Sequence, residues 1–396
     1  MKFYFVTCTL SRFKSPLLCA SYNLPHPDIP KQVKKYWNNS PGCSKRNKAM
    51  KIFYLFYSLI FFSFLLPPSA LFAQNKETSR GEQASQSVQA DRQSPASMAA
   101  RASRADALLE EGSTLYYRGD YQGALSRIEE ARTIDESLGE ARLVNLGFDY
   151  GWIGEIYRVT GNYSQALVQF GKAIETLHAA GEELNASIYE GNTGWIYLQL
   201  EEYKTARSYL ERAYQVALSY IPNTGVDPNN PAPGMYASLW AGHLAELYGL
   251  LDNTEEMIRY NERALQYASA LQMETQIYIV ANNLGNGYFD TGRTGEAIEA
   301  YKKALAIAEK HGVVEYLFSQ QINLARAYLE LYQYEHAAEY GKAALESARR
   351  IEGGPSNAGL EKEIEARKLL GQIYNTWSRY EKALFHYRRV LELTLF

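Results

Sequence analysis

The sequence predicts an all-α protein, a right-handed α–α superhelix of about fourteen antiparallel helices stacked as a solenoid. Three observations predict it. After Arg101 apolar residues recur at three- and four-residue spacing, with almost none of the alternation that marks strands. A small residue, followed three positions later by an aromatic or large apolar residue and later by Ala, recurs at Gly112, Gly154, Gly194, Ala245, Gly285, Ala325 and Gly371. The chain of 396 residues is long enough for two or three ordinary domains or for one long array, and the recurrence selects the array.

Along the chain, residues 1–49 lack periodicity and read as an upstream extension from a mis-set start, without structure of their own. Residues 50–73 read as a signal peptide: Lys45, Arg46, Lys48 and Lys51 precede the apolar run Ile52–Leu66, Pro67 and Pro68 end it, and Ala70 to Ala73 supply small residues for cleavage. The run is shorter than the roughly 20 residues that span a bilayer. The alternative is a membrane anchor through residues 52–72, left uncleaved. Residues 74–100, rich in Ser, Gln and Ala, read as a disordered linker. Residues 101–396 form the array, with repeats near 105–138, 147–180, 187–220, 238–271, 278–311, 318–351 and 364–396. The small residues are 42, 40, 51, 40, 40 and 46 positions apart, and the long intervals hold turn-forming insertions, Ile221 to Gly234 and Gly353 to Gly359.

The best copy reads Leu284-Gly285-Asn286-Gly287-Tyr288, with Gly292 at the turn and then Ala297, Tyr301 and Ala304. Gly154, Tyr157, Gly161, Ala166, Phe170 and Ala173 follow it closely, as do Gly371, Tyr374, Ala383 and Tyr387. Copies four and six depart from it, with Met257 in place of the Ala of the second helix and Gly341 in place of its aromatic. This pattern resembles the tetratricopeptide repeat. Its 40-residue period is similar to the repeats of kinesin light chains and of bacterial proteins that carry a caspase-like CHAT domain. Gly or Ala in helix A and at two positions of helix B lets the paired helices approach closely, while Tyr fills the space beside them and its hydroxyl reaches a polar edge. Each hairpin leaves an apolar face open and is stable only when stacked on neighbours.

Charge and composition exclude several function classes. The formal balance of −3 conceals ten basic residues and one acid in residues 1–73, leaving the remainder with 31 basic and 43 acidic residues. A body at −12 is a poor match for phosphate backbones, so no nucleic acid is expected as a partner. Cys8, Cys19 and Cys43 all precede Met50, which removes disulfides, thiolate metal sites and cysteine nucleophiles from the body. No phosphate-binding glycine loop is present, and acids such as Glu201-Glu202 and Glu255-Glu256 are adjacent pairs that diverge on a helix. His243 with Glu246 and His336 with Glu339 share helical faces, but a metal site needs such pairs to converge. The reading therefore carries no cofactor, no metal and no catalytic residue.

Helix A residues expected to face a concave groove are Asn192, Trp195, His243, Glu246, Asn282, Asn283, Asn286, Phe289, Asn323, Arg326, Lys368, Gln372 and Asn375. Asparagine is a middling helix former, so its recurrence in strongly helical segments asks for a reason. Its side chain both donates and accepts, and a ladder of such groups can hold the backbone of an extended peptide. Resemblance to kinesin-light-chain-type repeats implies the same use; the alternative is that these asparagines satisfy groups between neighbouring helices. The expected function is a secreted or periplasmic, non-enzymatic scaffold that binds a protein or peptide in the groove of repeats three to six. Two rivals stand beside it: the regulatory or sensor portion of a larger signalling or CHAT-type protease protein, and a helical-toroid hydrolase. The apolar end at Val390 to Phe396 offers a surface for self-association.

Overall fold

The computed structural model describes residues 94–351 and 358–395. The extension, signal segment and most of the linker lie outside them, as does most of the second insertion. Ala105 onward belongs to one compact unit, while Pro95–Arg104, the first turns of the first helix, belong to another.

Among the described residues fourteen α-helices pair into seven antiparallel A/B hairpins, and there is no strand. They are α1 (Pro95–Tyr117) with α2 (Tyr121–Leu138), α3 (Leu143–Val159) with α4 (Tyr163–Ala179), and α5 (Glu183–Gln199) with α6 (Tyr203–Ser219). Then come α7 (Ala232–Leu250) with α8 (Thr254–Ala270), α9 (Glu274–Asp290) with α10 (Thr294–His311), α11 (Val314–Glu330) with α12 (Tyr334–Arg350), and α13 (Ala358–Thr376) with α14 (Tyr380–Thr394). A 3₁₀ turn, Gly139–Arg142, joins the first two hairpins. No helix among the described residues is long and apolar enough to cross a membrane.

The repeat signature is a steric rule between helix A and helix B. A Cβ on Gly112, Gly154, Gly194, Gly285 or Gly371 would collide with Ile128, Phe170, Leu210, Tyr301 or Tyr387, in each case the residue sixteen positions on. Where helix A carries the larger Ala, its counterpart shrinks: Ala245 is matched by Asn261 and Ala325 by Gly341. In the sixth copy the space beside Gly341 is taken from the next hairpin, where a Cβ on Gly341 would meet Leu370 of α13.

Seven positions after the small residue the backbone turns through the left-handed region. Gly119, Gly161 and Gly292 occupy three of these turns, at φ near 80°; Glu201, Asp252, Tyr332 and Ser378 occupy the others at φ of 55–60°. The next residue caps helix B in several hairpins: Asp120, Asn162 and Asn253 accept from the backbone N–H of Gly123, Gln165 and Glu256.

Within the unit that begins at Ala105, each helix B packs on helix A of the next hairpin. Helices A of adjacent hairpins also touch, α5 on α7, α7 on α9 and α11 on α13, whereas no two helices B come into comparable contact. The A helices therefore line the inner face of an all-α superhelical array. The first insertion is shorter than its composition suggests: Ala232, Pro233 and Gly234 already belong to α7, with Pro233 in the first turn, where its missing N–H costs no hydrogen bond. At the other end, α14 leaves Leu384, Phe385, Leu391 and Leu395 exposed, because no further hairpin among the described residues covers them.

Candidate binding groove

Two positions of each helix A look inward, three residues before the signature residue and one after it. The earlier position is Gly151, Gly191, Gly242, Asn282, Ile322 and Lys368 in hairpins two to seven. In hairpins two and three its glycine receives an aromatic ring from the following helix A. A Cβ on Gly151 would overlap Tyr189, and a Cβ on Gly191 would lie 2.5 Å from three atoms of the Trp240 indole. Both rings are fully buried. The inner face is thus plugged in the first half of the array.

Two expected groove residues are engaged in packing. Asn192 is 6% exposed and belongs to the packed interior beside the Trp240 contact. Trp195 is half-buried: the Arg158 guanidinium lies 4.7 Å from its ring centroid, and Tyr163 meets it edge-on. Arg158 is itself held by Glu155 through two hydrogen bonds of 2.7 Å, and the Tyr116 hydroxyl donates to Glu155 at 3.0 Å. Burial works against the Arg158 charge, yet the Glu155 carboxylate more than offsets it, and the guanidinium stays firmly protonated. Trp195 closes this three-hairpin network.

Hairpins five to seven differ in kind. Asn282 stands where the glycines stood, and Gln320 stands where the rings stood. Gln320 Nε2 donates to Asn282 Oδ1 at 2.9 Å and to the Tyr278 hydroxyl at 3.2 Å, while Asn323 Nδ2 reaches the same Oδ1 at 3.4 Å. Asn282 Nδ2 in turn approaches Asn283 Oδ1 at 3.4 Å. These asparagines do satisfy one another between helices, and they remain half-buried at the surface. Asn286 is exposed; its Oδ1 accepts from the Tyr301 hydroxyl at 2.9 Å, which leaves its amide hydrogens to donate. Arg326, also exposed, bonds Glu365 at 2.8 Å across hairpins six and seven. Lys368, Gln372 and Asn375 continue the exposed row along α13, and Phe289 is half-buried at the end of α9.

In hairpin four, His243 Nδ1 and Glu246 Oε2 are 3.4 Å apart. No cluster of three metal-ligating side chains occurs among the described residues. The structure also adds a groove residue that sequence reasoning passed over. Ile279 is exposed on the inner face of α9, at a register position that points to it, although an isolated Ile cannot be told from core in a sequence. Buried acids escaped as well. Asp149, fully buried in α3, is pushed up to about 9 by burial and then by the nearby Asp135 charge, so it is protonated at neutral pH. Asp135 is bound by Arg142 at 2.9 Å, and Arg142 also binds Asp106 at 2.6 Å, a network that joins hairpins one and two.

Seven A/B hairpins, each closed around a Gly or Ala of helix A and stacked helix B on the next helix A, define a helical repeat solenoid of the protein-interaction class. Models of the tetratricopeptide repeat match residues 148–219, 236–310, 319–357 and 365–395, more than half of the chain, and the chain belongs to the tetratricopeptide repeat family. It is 28% identical over 142 residues to outer dynein arm-docking complex subunit 4 of Danio rerio, a match that covers 36% of this chain and 27% of that protein. It is 23% identical over 231 residues to the protein kinesin light chain-related 1 of Arabidopsis thaliana, covering 56% of this chain and 36% of the relative. The chain thus spans about a third of the length of these relatives. The apo form of RapI shares the fold with a TM-score of 0.53 at 15% identity, over 73% of this chain and 76% of that one.

Proposed function

We propose that this chain is a non-catalytic scaffold that holds an extended polypeptide along the inner face of hairpins five to seven. One observation carries the reading: inner positions closed by Tyr189 and Trp240 earlier in the array are replaced by the Asn282–Gln320–Asn323 ladder, bordered by exposed Asn286, Arg326 and Lys368. Side-chain amides offer a donor and an acceptor to a passing peptide backbone without dictating its sequence. The ladder is fixed by its own hydrogen bonds, so little ordering entropy is lost on the scaffold side when the partner docks. The acidic balance of the body favours a segment with some basic residues.

Display selection of random linear peptides against the full chain, followed by affinity measurement with an Asn286→Ala, Arg326→Ala, Lys368→Ala variant, tests this. All three side chains are exposed, so helicity should be unchanged while affinity falls at least tenfold. A variant that keeps wild-type affinity for every selected peptide would place the binding surface elsewhere. Asn282 is left out because Gln320, buried behind it, depends on its carbonyl oxygen.

The apolar run before Ala70 to Ala73 supports export and a mature chain that begins near Gln74. N-terminal sequencing of exported material should start there; residues from before Met50 would overturn this.

A further inference from the structure

The A-to-B turns of the hairpins fall on one edge of the array, because every helix A runs in the same direction and every helix B returns. That edge is unusually apolar in hairpins three, four and six. Leu200, Leu250, Leu251, Leu331 and Tyr332 are between 40% and 72% exposed there. Hairpin five interrupts the row with Thr291 and Gly292, and an Arg293–Glu296 ion pair at 2.6 Å lies on its turn.

The same turns are acidic. Glu201, Glu202, Asp252, Glu255, Glu330 and Glu335 are all exposed, and none makes an ion pair with a cation among the described residues. Across these three turns only Lys204 stands against them. Other exposed acids of the array do hold cations, as in Arg127–Glu111, Arg293–Glu296 and Arg389–Glu392. Leucines that face water cost free energy unless something covers them, and a run of unpaired carboxylates gains from cations brought alongside.

We propose that this edge is a second interaction surface, separate from the inner groove, and that it receives a basic amphipathic helix of another polypeptide. The spacing suits such a partner. Neighbouring hairpins lie about 10 Å apart, and seven residues of α-helix advance about 10.5 Å. Apolar residues in heptad register therefore meet the turns of hairpins three, four and six, the heptad between passes over Thr291 and Gly292, and lysines or arginines on either side reach the carboxylates. The leucines supply affinity through buried area, and the charges select sign and orientation.

The test uses the full chain and two synthetic helices about four heptads long, with leucines in heptad register and either lysine or glutamate at the remaining positions. The lysine helix should bind and the glutamate helix should not. A Leu200→Ser, Leu251→Ser, Leu331→Ser variant, which leaves the protein's charge unchanged, should bind the lysine helix about tenfold more weakly. The Asn286→Ala, Arg326→Ala, Lys368→Ala groove variant should bind it as the wild type does, which separates this surface from the groove. Undiminished binding by the serine variant, or binding lost in the groove variant instead, would overturn the proposal. So would concentration-dependent self-association, or adsorption to neutral phosphatidylcholine vesicles, that disappears in the serine variant, since the edge would then be occupied by a second copy or by lipid.

Discussion

Replacing Gly191 by Ala tests the plug directly. The new methyl would stand 2.5 Å from Cε2, Cζ2 and Cη2 of Trp240, whereas carbon atoms pack at about 3.5–4.0 Å. The indole would have to retreat by about 1 Å. It is fully buried and rigid, so the strain falls on its neighbours. Overpacking of this kind costs about 1–3 kcal/mol, against which Ala returns about 1 kcal/mol of helix propensity. The expected net loss is up to about 2 kcal/mol. Gly171→Ala in α4 is the control: nothing lies within 4 Å of its Cβ position, so the propensity gain of about 1 kcal/mol should appear alone. Thermal unfolding followed by circular dichroism should therefore move the two variants in opposite directions, by a few degrees each. Combining Gly191→Ala with Trp240→Leu removes the collision, and the alanine should then become favourable, giving a coupling of at least about 1 kcal/mol. If Gly191→Ala raises the melting temperature as Gly171→Ala does, the ring does not occupy that space.

Other expectations concern turns and titration. Glu201→Gly should stabilise by about 0.5–1 kcal/mol in chemical denaturation, because a left-handed conformation costs a non-glycine residue more than glycine loses in entropy. Asp149 has its folded value raised from 3.8 to about 9, so it contributes stability fully below 3.8 and loses it as pH rises toward 9. Asp149→Asn should abolish a decline of up to about 1.4 kcal/mol per pH unit across that window, seen as a melting temperature that no longer falls from pH 5 to pH 8. His386 has the opposite sign. Burial, then Arg367 and Lys342, lower it from 6.5 to about 4, so its contribution is complete above 6.5 and is lost as pH falls through 4. The loss is at most about 3 kcal/mol, and His386→Phe, which keeps the stack on Tyr374, should flatten the melting profile between pH 6.5 and pH 4.

The recurring Gly or Ala, the large residue sixteen positions on, and the turn seven positions on were all legible in the sequence, because each is a demand that one hairpin makes on itself. Helix B cannot approach helix A past a large side chain at Gly154 or Gly285, and that requirement repeats wherever the hairpin repeats. The register of the inner face was legible for the same reason, and it placed Asn286, Arg326, Lys368 and Gln372 on an exposed surface. Whether that face is open was decided only by tertiary structure. Gly191 and Asn282 occupy equivalent positions in their helices, yet one is covered by Trp240, which lies beyond an insertion, and the other by Gln320. What fills an inner position comes from the next hairpin. A single helix therefore reports which way Asn192 points but not that it is buried, because packing between repeats depends on side chains about forty residues apart whose sizes no local pattern couples.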